Sequence, residues 1–249
     1  MSLASILIAI LSFIVILIIF RYLISSVNTK IIHNGKEQKI YKKEDLPNST
    51  SNNCAYSLWF FIDNFSDGYG LDKGIMYHID TSLSGADDSK KGVTVTLGAT
   101  SNDLDVVVRT TNSSLSTPSK TCTIRNIPIQ KWIHLVVSIH GRVIDLYLNG
   151  KLVRSCLSAD LPNIIGLSDK PVKVAPLLTT INGDQTITTT GFSGYHAKFE
   201  YYPEAIDPQT VYYLYRSGYG GGSFMDYLNR YQLKLAVLSN EVEQSSFII

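Results

Sequence analysis

The chain has 249 residues, enough for one large β domain with attachments, and its 22 basic and 21 acidic residues nearly cancel. That balance leaves no electrostatic footprint for a nucleic-acid partner. Three cysteines in so long a chain exclude a disulfide-dense scaffold. Buried thiols are the simpler expectation for Cys54, Cys122 and Cys156, with one bridged pair as an alternative that spacing cannot identify.

Residues 1–20 contain no charged side chain, and across residues 3–20 only Ala and Ser interrupt the large apolar ones. Eighteen residues at helical rise cover about 27 Å, close to the hydrocarbon thickness of a bilayer. Residues 1–24 are therefore expected to form a transmembrane helix. Leu3, Ile6, Ile10, Phe13, Leu17 and Phe20 would face lipid, with Arg21 snorkelling to the interface. A cleaved signal peptide fits less well, since no basic segment precedes the run and no small-residue cleavage site follows it. Arg21, Lys30, Lys36, Lys39, Lys42 and Lys43 flank the span on its C-terminal side, which predicts a cytoplasmic location for the rest of the chain. Unpaired thiols suit that side.

Residues 25–53 read as a polar, basic linker able to extend about 90 Å. Ile31, Ile32, Ile40 and Tyr41 offer it the alternative of docking as short strands. From residue 54 the pattern changes to short runs of alternating apolar residues. Strands are predicted over 55–62, 74–81, 92–99, 104–110, 120–127 and 193–202, with turns rich in Gly, Asn, Ser and Asp between them. Residues 172–178 contain Pro176 and are expected to be an edge strand at best.

The central stretch is 131–156. Ile133, Leu135, Val137 and Ile139 alternate, a short turn follows, and Ile144, Leu146 and Leu148 resume the alternation. Asn149-Gly150 then marks a two-residue hairpin turn, because both residues tolerate positive φ. Three antiparallel strands with one face to bury require a second layer, so the whole reads as a β-sandwich.

Asp207 and Pro208 open a short helix over 209–216 that Gly218 ends. Beyond the glycine-rich 218–222, Ser223 and Asp226 match a capping box, and a second helix is expected to about residue 238. Its apolar stripe, Phe224, Tyr227, Leu228, Tyr231 and Leu235 with Leu238, is a candidate partner-binding tail.

Three blocks carry a family resemblance: Tyr56-Ser-Leu-Trp-Phe60, the block from Trp132 and His134 through Tyr147, Asn149, Gly150 and Lys151, and Phe192-Ser-Gly-Tyr195 with Tyr201 to Gly218. Together they resemble laminin-G-like and concanavalin A-like jelly rolls. The resemblance implies a mainly β, concanavalin A-like sandwich over 54–218, preceded by a transmembrane helix and a linker and followed by a hinge and helical tail over 219–249. The fold does not fix a function. A glycosidase needs two carboxylates across the scissile bond, and the Glu-x-Asp-x-x-Glu pattern of related glucanases is absent, so no enzyme is expected. Asp67 with Asp72, or Asp80 with Asp87 and Asp88, are calcium candidates, but turn chemistry accounts for them and no cofactor or metal is expected. His134 and His140 lie about 20 Å apart on one strand, too far to share a metal.

An anchor, a tether, a sandwich and an aromatic tail resemble membrane-anchored minor capsid proteins of large DNA viruses. That resemblance implies a structural link between an internal membrane and a capsid layer, with lipid and capsid or membrane proteins as partners. The alternative is a membrane-tethered lectin, with carbohydrate as its ligand and Tyr69, Tyr77 or Tyr195 as the exposed aromatic.

Overall fold

A computed structural model describes residues 32–47, 51–80, 92–111, 119–165, 167–182, 185–220, 234–239 and 242–248. The anchor residues Leu3, Ile6, Ile10, Phe13, Leu17, Phe20 and Arg21 lie outside them, and among the described residues no helix is long and apolar enough to cross a membrane. One compact unit spans Ile32–Tyr219.

In chain order its strands are β1 (Ile32–Asn34), β2 (Lys39–Tyr41), β3 (Cys54–Ile62), β4 (Lys73–Ile79), β5 (Gly92–Leu97), β6 (Leu104–Arg109) and β7 (Ser119–Ile124). They continue with β8 (Trp132–His140), β9 (Val143–Leu148), β10 (Lys151–Leu157), β11 (Val172–Val174), β12 (Leu177–Asn182), β13 (Gln185–Thr190) and β14 (Gly194–Tyr202), followed by helix α1 (Pro208–Ser217). The described residues form two six-stranded antiparallel sheets, in the orders β1-β14-β3-β8-β9-β10 and β2-β11-β4-β5-β6-β7. Strands β12 and β13 pair separately.

Alternation sorts the side chains. Tyr56, Leu58, Phe60 and Ile62 of β3 and Ile133, Leu135, Val137 and Ile139 of β8 point inward. They share one core with Val93, Val95 and Leu97 of β5 and Leu104, Val106 and Val108 of β6. The expected Asn149-Gly150 turn is present, with φ of 51° and 77°. One polar pair inside the core bridges the two sheets. The Tyr56 hydroxyl lies 2.8 Å from His78 Nδ1, and His78 Nε2 lies 2.8 Å from the Leu167 carbonyl. Because a carbonyl only accepts, Nε2 carries the proton and Nδ1 accepts from Tyr56.

Four expectations change. The linker stretch supplies β1 to one sheet and β2 to the other, because its backbone groups pair with open strand edges there. Val172–Val174 is not an edge strand: β11 pairs with both β2 and β4, and Pro176 falls just beyond it, where no ladder hydrogen bond is asked of it. Cys122 and Cys156 are bonded to each other, and Cys54 alone is a free, buried thiol. Finally, the helix expected to run to residue 238 is not there at its end. The second unit's described residues form an antiparallel hairpin of β15 (Lys234–Ser239) and β16 (Val242–Ile248), in which Leu235 pairs with Phe247. Leu235 fits a helical stripe with Leu238 but alternates equally well with Val237, and Val242, Phe247 and Ile248 supply a β-prone partner. Phe224, Tyr227, Leu228 and Tyr231 lie outside the described residues.

Candidate functional site

The outward face of the first sheet is where the chain departs from plain core-building. Its outward positions are Ala55, Ser57, Trp59 and Phe61 on β3, Trp132, His134, Val136, Ser138 and His140 on β8, and Asp145 and Tyr147 on β9. Helix α1 crosses this face. Asp207 starts it, accepting the backbone N–H groups of Gln209 and Thr210 at 2.9 and 3.0 Å. Ser138 pins the preceding residue, since its hydroxyl donates to the Ile206 carbonyl and accepts the Ile206 N–H at 3.1 Å. Val211 buries itself on Val136 and Tyr147. At the other end, the Lys198 ammonium reaches Ser217 and the Gly218 carbonyl.

The C-terminal end of the helix rests on an aromatic layer. Tyr219 stacks on Trp132 with ring centroids 4.2 Å apart, and Tyr215 lies over both Trp59 and His134 at 5.7 and 6.2 Å. His134 is buried, its Nε2 lies 2.9 Å from the Ser57 hydroxyl, and its pKa is pushed down to about 4 by burial, with Lys198 adding to the effect. This part of the face is closed by packing.

The N-terminal end of the helix leaves a groove open. It has a volume of 650 Å³, within the range of small-molecule sites of about 300–1,000 Å³. Tyr147 forms the buried floor; Leu152 stands exposed at the rim; Asn53, His140, Asp145 and Glu204 supply polar walls. Several of these groups are already positioned. The Asn53 side-chain oxygen accepts the Gly141 N–H at 2.8 Å, and Ser155 donates to Asp145 at 2.6 Å. Burial raises the Tyr147 pKa, and the nearby Asp145 and Asp207 carboxylates raise it further. The floor is thus a neutral phenol between two acceptors, suited to hydroxyl-bearing ligands. Asp207 is committed to the helix cap and its pKa is lowered, chiefly by Thr210, the reverse of what a general acid requires.

The aromatic residues expected for sugar stacking do not meet there. Tyr69 is exposed in a turn; Tyr195 is exposed on β14 beside Phe61; Tyr77 faces outward from the other sheet. Of the groove residues, His140, Asp145 and Tyr147 were legible as outward positions of β8 and β9, whereas Asn53, Leu152 and Glu204 come from other parts of the chain that no local pattern joins to them. Of the calcium candidates, Asp87 and Asp88 lie outside the described residues. Asp67 pairs with Lys36 and Asp80 with Lys170, and the Lys73 ammonium donates to the Gly68 and Leu71 carbonyls of the same turn. Among the described residues no group of three metal-ligating side chains is brought together.

A family model described as the concanavalin A-like lectin/glucanases superfamily matches residues 34–212. No curated protein matches the sequence. Among solved structures, the fold is similar to the receptor binding domain of botulinum neurotoxin D, with 14% identity, a TM-score of 0.53, and 77% of this chain and 45% of that one covered. It is similar also to the serotype D ligand binding domain in complex with N-acetylneuraminic acid, with 14% identity, a TM-score of 0.52, and 78% and 47% covered. The chain therefore spans less than half the length of these neurotoxin domains, and the likeness is one of fold.

Proposed function

We propose, on the premise that the chain belongs to the concanavalin A-like lectin/glucanases superfamily, that its sandwich is a non-catalytic, carbohydrate-binding domain. The groove between β8, β9 and the start of α1 carries this reading. It offers an apolar-and-aromatic floor with convergent hydrogen-bonding side chains, the composition that orients a polyhydroxylated ring. The neurotoxin domain solved with N-acetylneuraminic acid shares the fold, which makes a sugar ligand chemically natural without assigning its position here. The apolar N-terminal segment would tether the domain to a membrane. The Cys122–Cys156 disulfide favours an oxidising compartment for the sandwich, against the cytoplasmic side that the basic flank predicts.

Binding of the full-length chain to an array of neutral and acidic glycans tests this, with His140→Ala and Glu204→Gln as groove variants. Binding that both variants weaken supports the groove. Binding by neither wild type nor variants to any glycan removes the reading.

A second reading, the membrane-to-capsid link, draws on one observation. Strand β10 is a sheet edge with Leu152, Val153 and Leu157 exposed at 53%, 45% and 63%, a surface suited to protein docking. Cross-linking from β10 in intact particles distinguishes the two, since a glycan-binding domain needs no fixed protein neighbour there.

A further inference from the structure

A second concavity lies around the edge of the sandwich from the groove. It has a volume of 390 Å³ and is lined by Thr110, Ser119, Lys120, Arg142, Ser158 and Asp160, among others. Lys120 sits on β7 of one sheet and Ser158 just after β10 of the other, so the cleft lies beside the disulfide that joins those two strands. Two cations and one carboxylate give it a net positive lining, opposite in sign to the groove with Asp145, Glu204 and Asp207.

Arg142 is held in place. Its Nη1 donates to the Ala159 carbonyl at 3.2 Å, and its own carbonyl accepts the Ser158 N–H at 2.8 Å. That anchors the guanidinium while leaving other N–H groups of its planar fork to face a ligand. Neither Lys120 nor Arg142 forms an ion pair with a carboxylate among the described residues. Thr110 and Ser158 are buried beneath it, at 5% and 2% exposure, while Ser119 is exposed at its lip. His140 and Arg142 flank Gly141 in the β8–β9 turn, so one turn places a side chain in each concavity, their Cα atoms at most about 7 Å apart.

We propose that this cleft is an acidic-sugar subsite, in which Lys120 and Arg142 take the carboxylate or sulfate of a residue adjoining the sugar in the groove. The assignment rests on glycan binding by the groove and adds its ligand class: an oligosaccharide with an anionic residue. Arg supplies a bidentate donor pair for either anion, Lys a point charge, and the exposed Ser119 hydroxyl pairs with the ring's own hydroxyls.

The test is backbone amide chemical-shift titration of the isotope-labelled full-length chain with N-acetylneuraminic acid, glucose 6-sulfate and glucose. At least one acidic probe is expected to shift the Lys120, Arg142 and Ser158 amides, and which one responds tells carboxylate from sulfate. Glucose should leave those amides unchanged. The Lys120→Gln/Arg142→Gln double variant should weaken the acidic probe at least tenfold, with Arg142→Lys in between. Silence of these amides to both acidic probes overturns the proposal, as does an unchanged affinity in a folded double variant. The two readings fail separately. Neutral sugar shifting His140 and Tyr147 with a silent cleft sinks the subsite alone. Acid-dependent shifts in the cleft, with the groove silent to every sugar, sink the groove and leave the cleft.

Discussion

Cys122 on β7 and Cys156 on β10 are bonded across the sandwich, with 6.1 Å between their Cα atoms. Each strand ends its own sheet, so the bond closes the side on which the two sheets would otherwise part. The bridge ties residues 34 apart in sequence.

Loop-closure entropy for that separation gives about 4 kcal/mol of stabilisation. The Cys122→Ser/Cys156→Ser variant should therefore unfold at clearly lower urea concentration, and reductant should lower the wild-type midpoint while leaving the variant unmoved. Equal midpoints with and without reductant would show that the bond does not form in solution.

Stability should fall between pH 7 and pH 4. His134 and His196 are buried, and burial, with Lys198 near the first and His33 and Lys39 near the second, pushes both pKa values down to about 4. Burial lowers His78 as well. Since these folded-state values lie below the unfolded value of about 6.5, the unfolded chain takes up protons first. The stabilisation is complete above about pH 6.5 and is lost progressively toward pH 4, by about 3 kcal/mol each for His134 and His196. Urea unfolding at pH 7 and pH 5 reads the trend, and His196→Gln should make it shallower, leaving the share of His134 and His78.

The chain's two tryptophans, Trp59 and Trp132, both lie in the aromatic layer under Tyr215 and Tyr219. Tyr219→Ala uncovers Trp132, so emission should shift to the red, with a loss of about 1 kcal/mol from the missing stack. An unshifted spectrum would mean that Tyr219 does not cover Trp132 in solution.

Asp207→Ala removes the cap of α1 and should cost about 1 kcal/mol. Because the cap sits at the groove, sugar affinity should fall with it. Asp207→Asn retains an acceptor and should recover both. Recovery of stability alone would mean that the carboxylate charge itself serves the ligand.

His140→Ala removes, and Glu204→Gln neutralises, an exposed side chain that lines the groove. Each should weaken sugar binding by about 1 kcal/mol, roughly fivefold, with no change in thermal midpoint. Calorimetry of the two variants and their combination reads it.

The sequence by itself determined the strand pattern from β3 to β10, the Asn149-Gly150 turn, and the capped helix α1. Each is written in neighbouring residues: a period of two, residues that tolerate positive φ, or a capping aspartate followed by proline. Tertiary structure decided what adjacency cannot express. Three cysteines have no preferred pairing until β7 and β10 meet at one edge. Three-residue stretches such as Ile32–Asn34 and Lys39–Tyr41, too short to read as strands by pattern, become strands only because a sheet edge waits for each. Leu235 fits a helical stripe or a strand equally well until Phe247 pairs with it. The groove and the basic cleft likewise exist only after the β8–β9 turn brings His140 and Arg142 beside residues far along the chain. A single residue's chemistry is local, whereas a concavity depends on contacts between residues that only folding brings together.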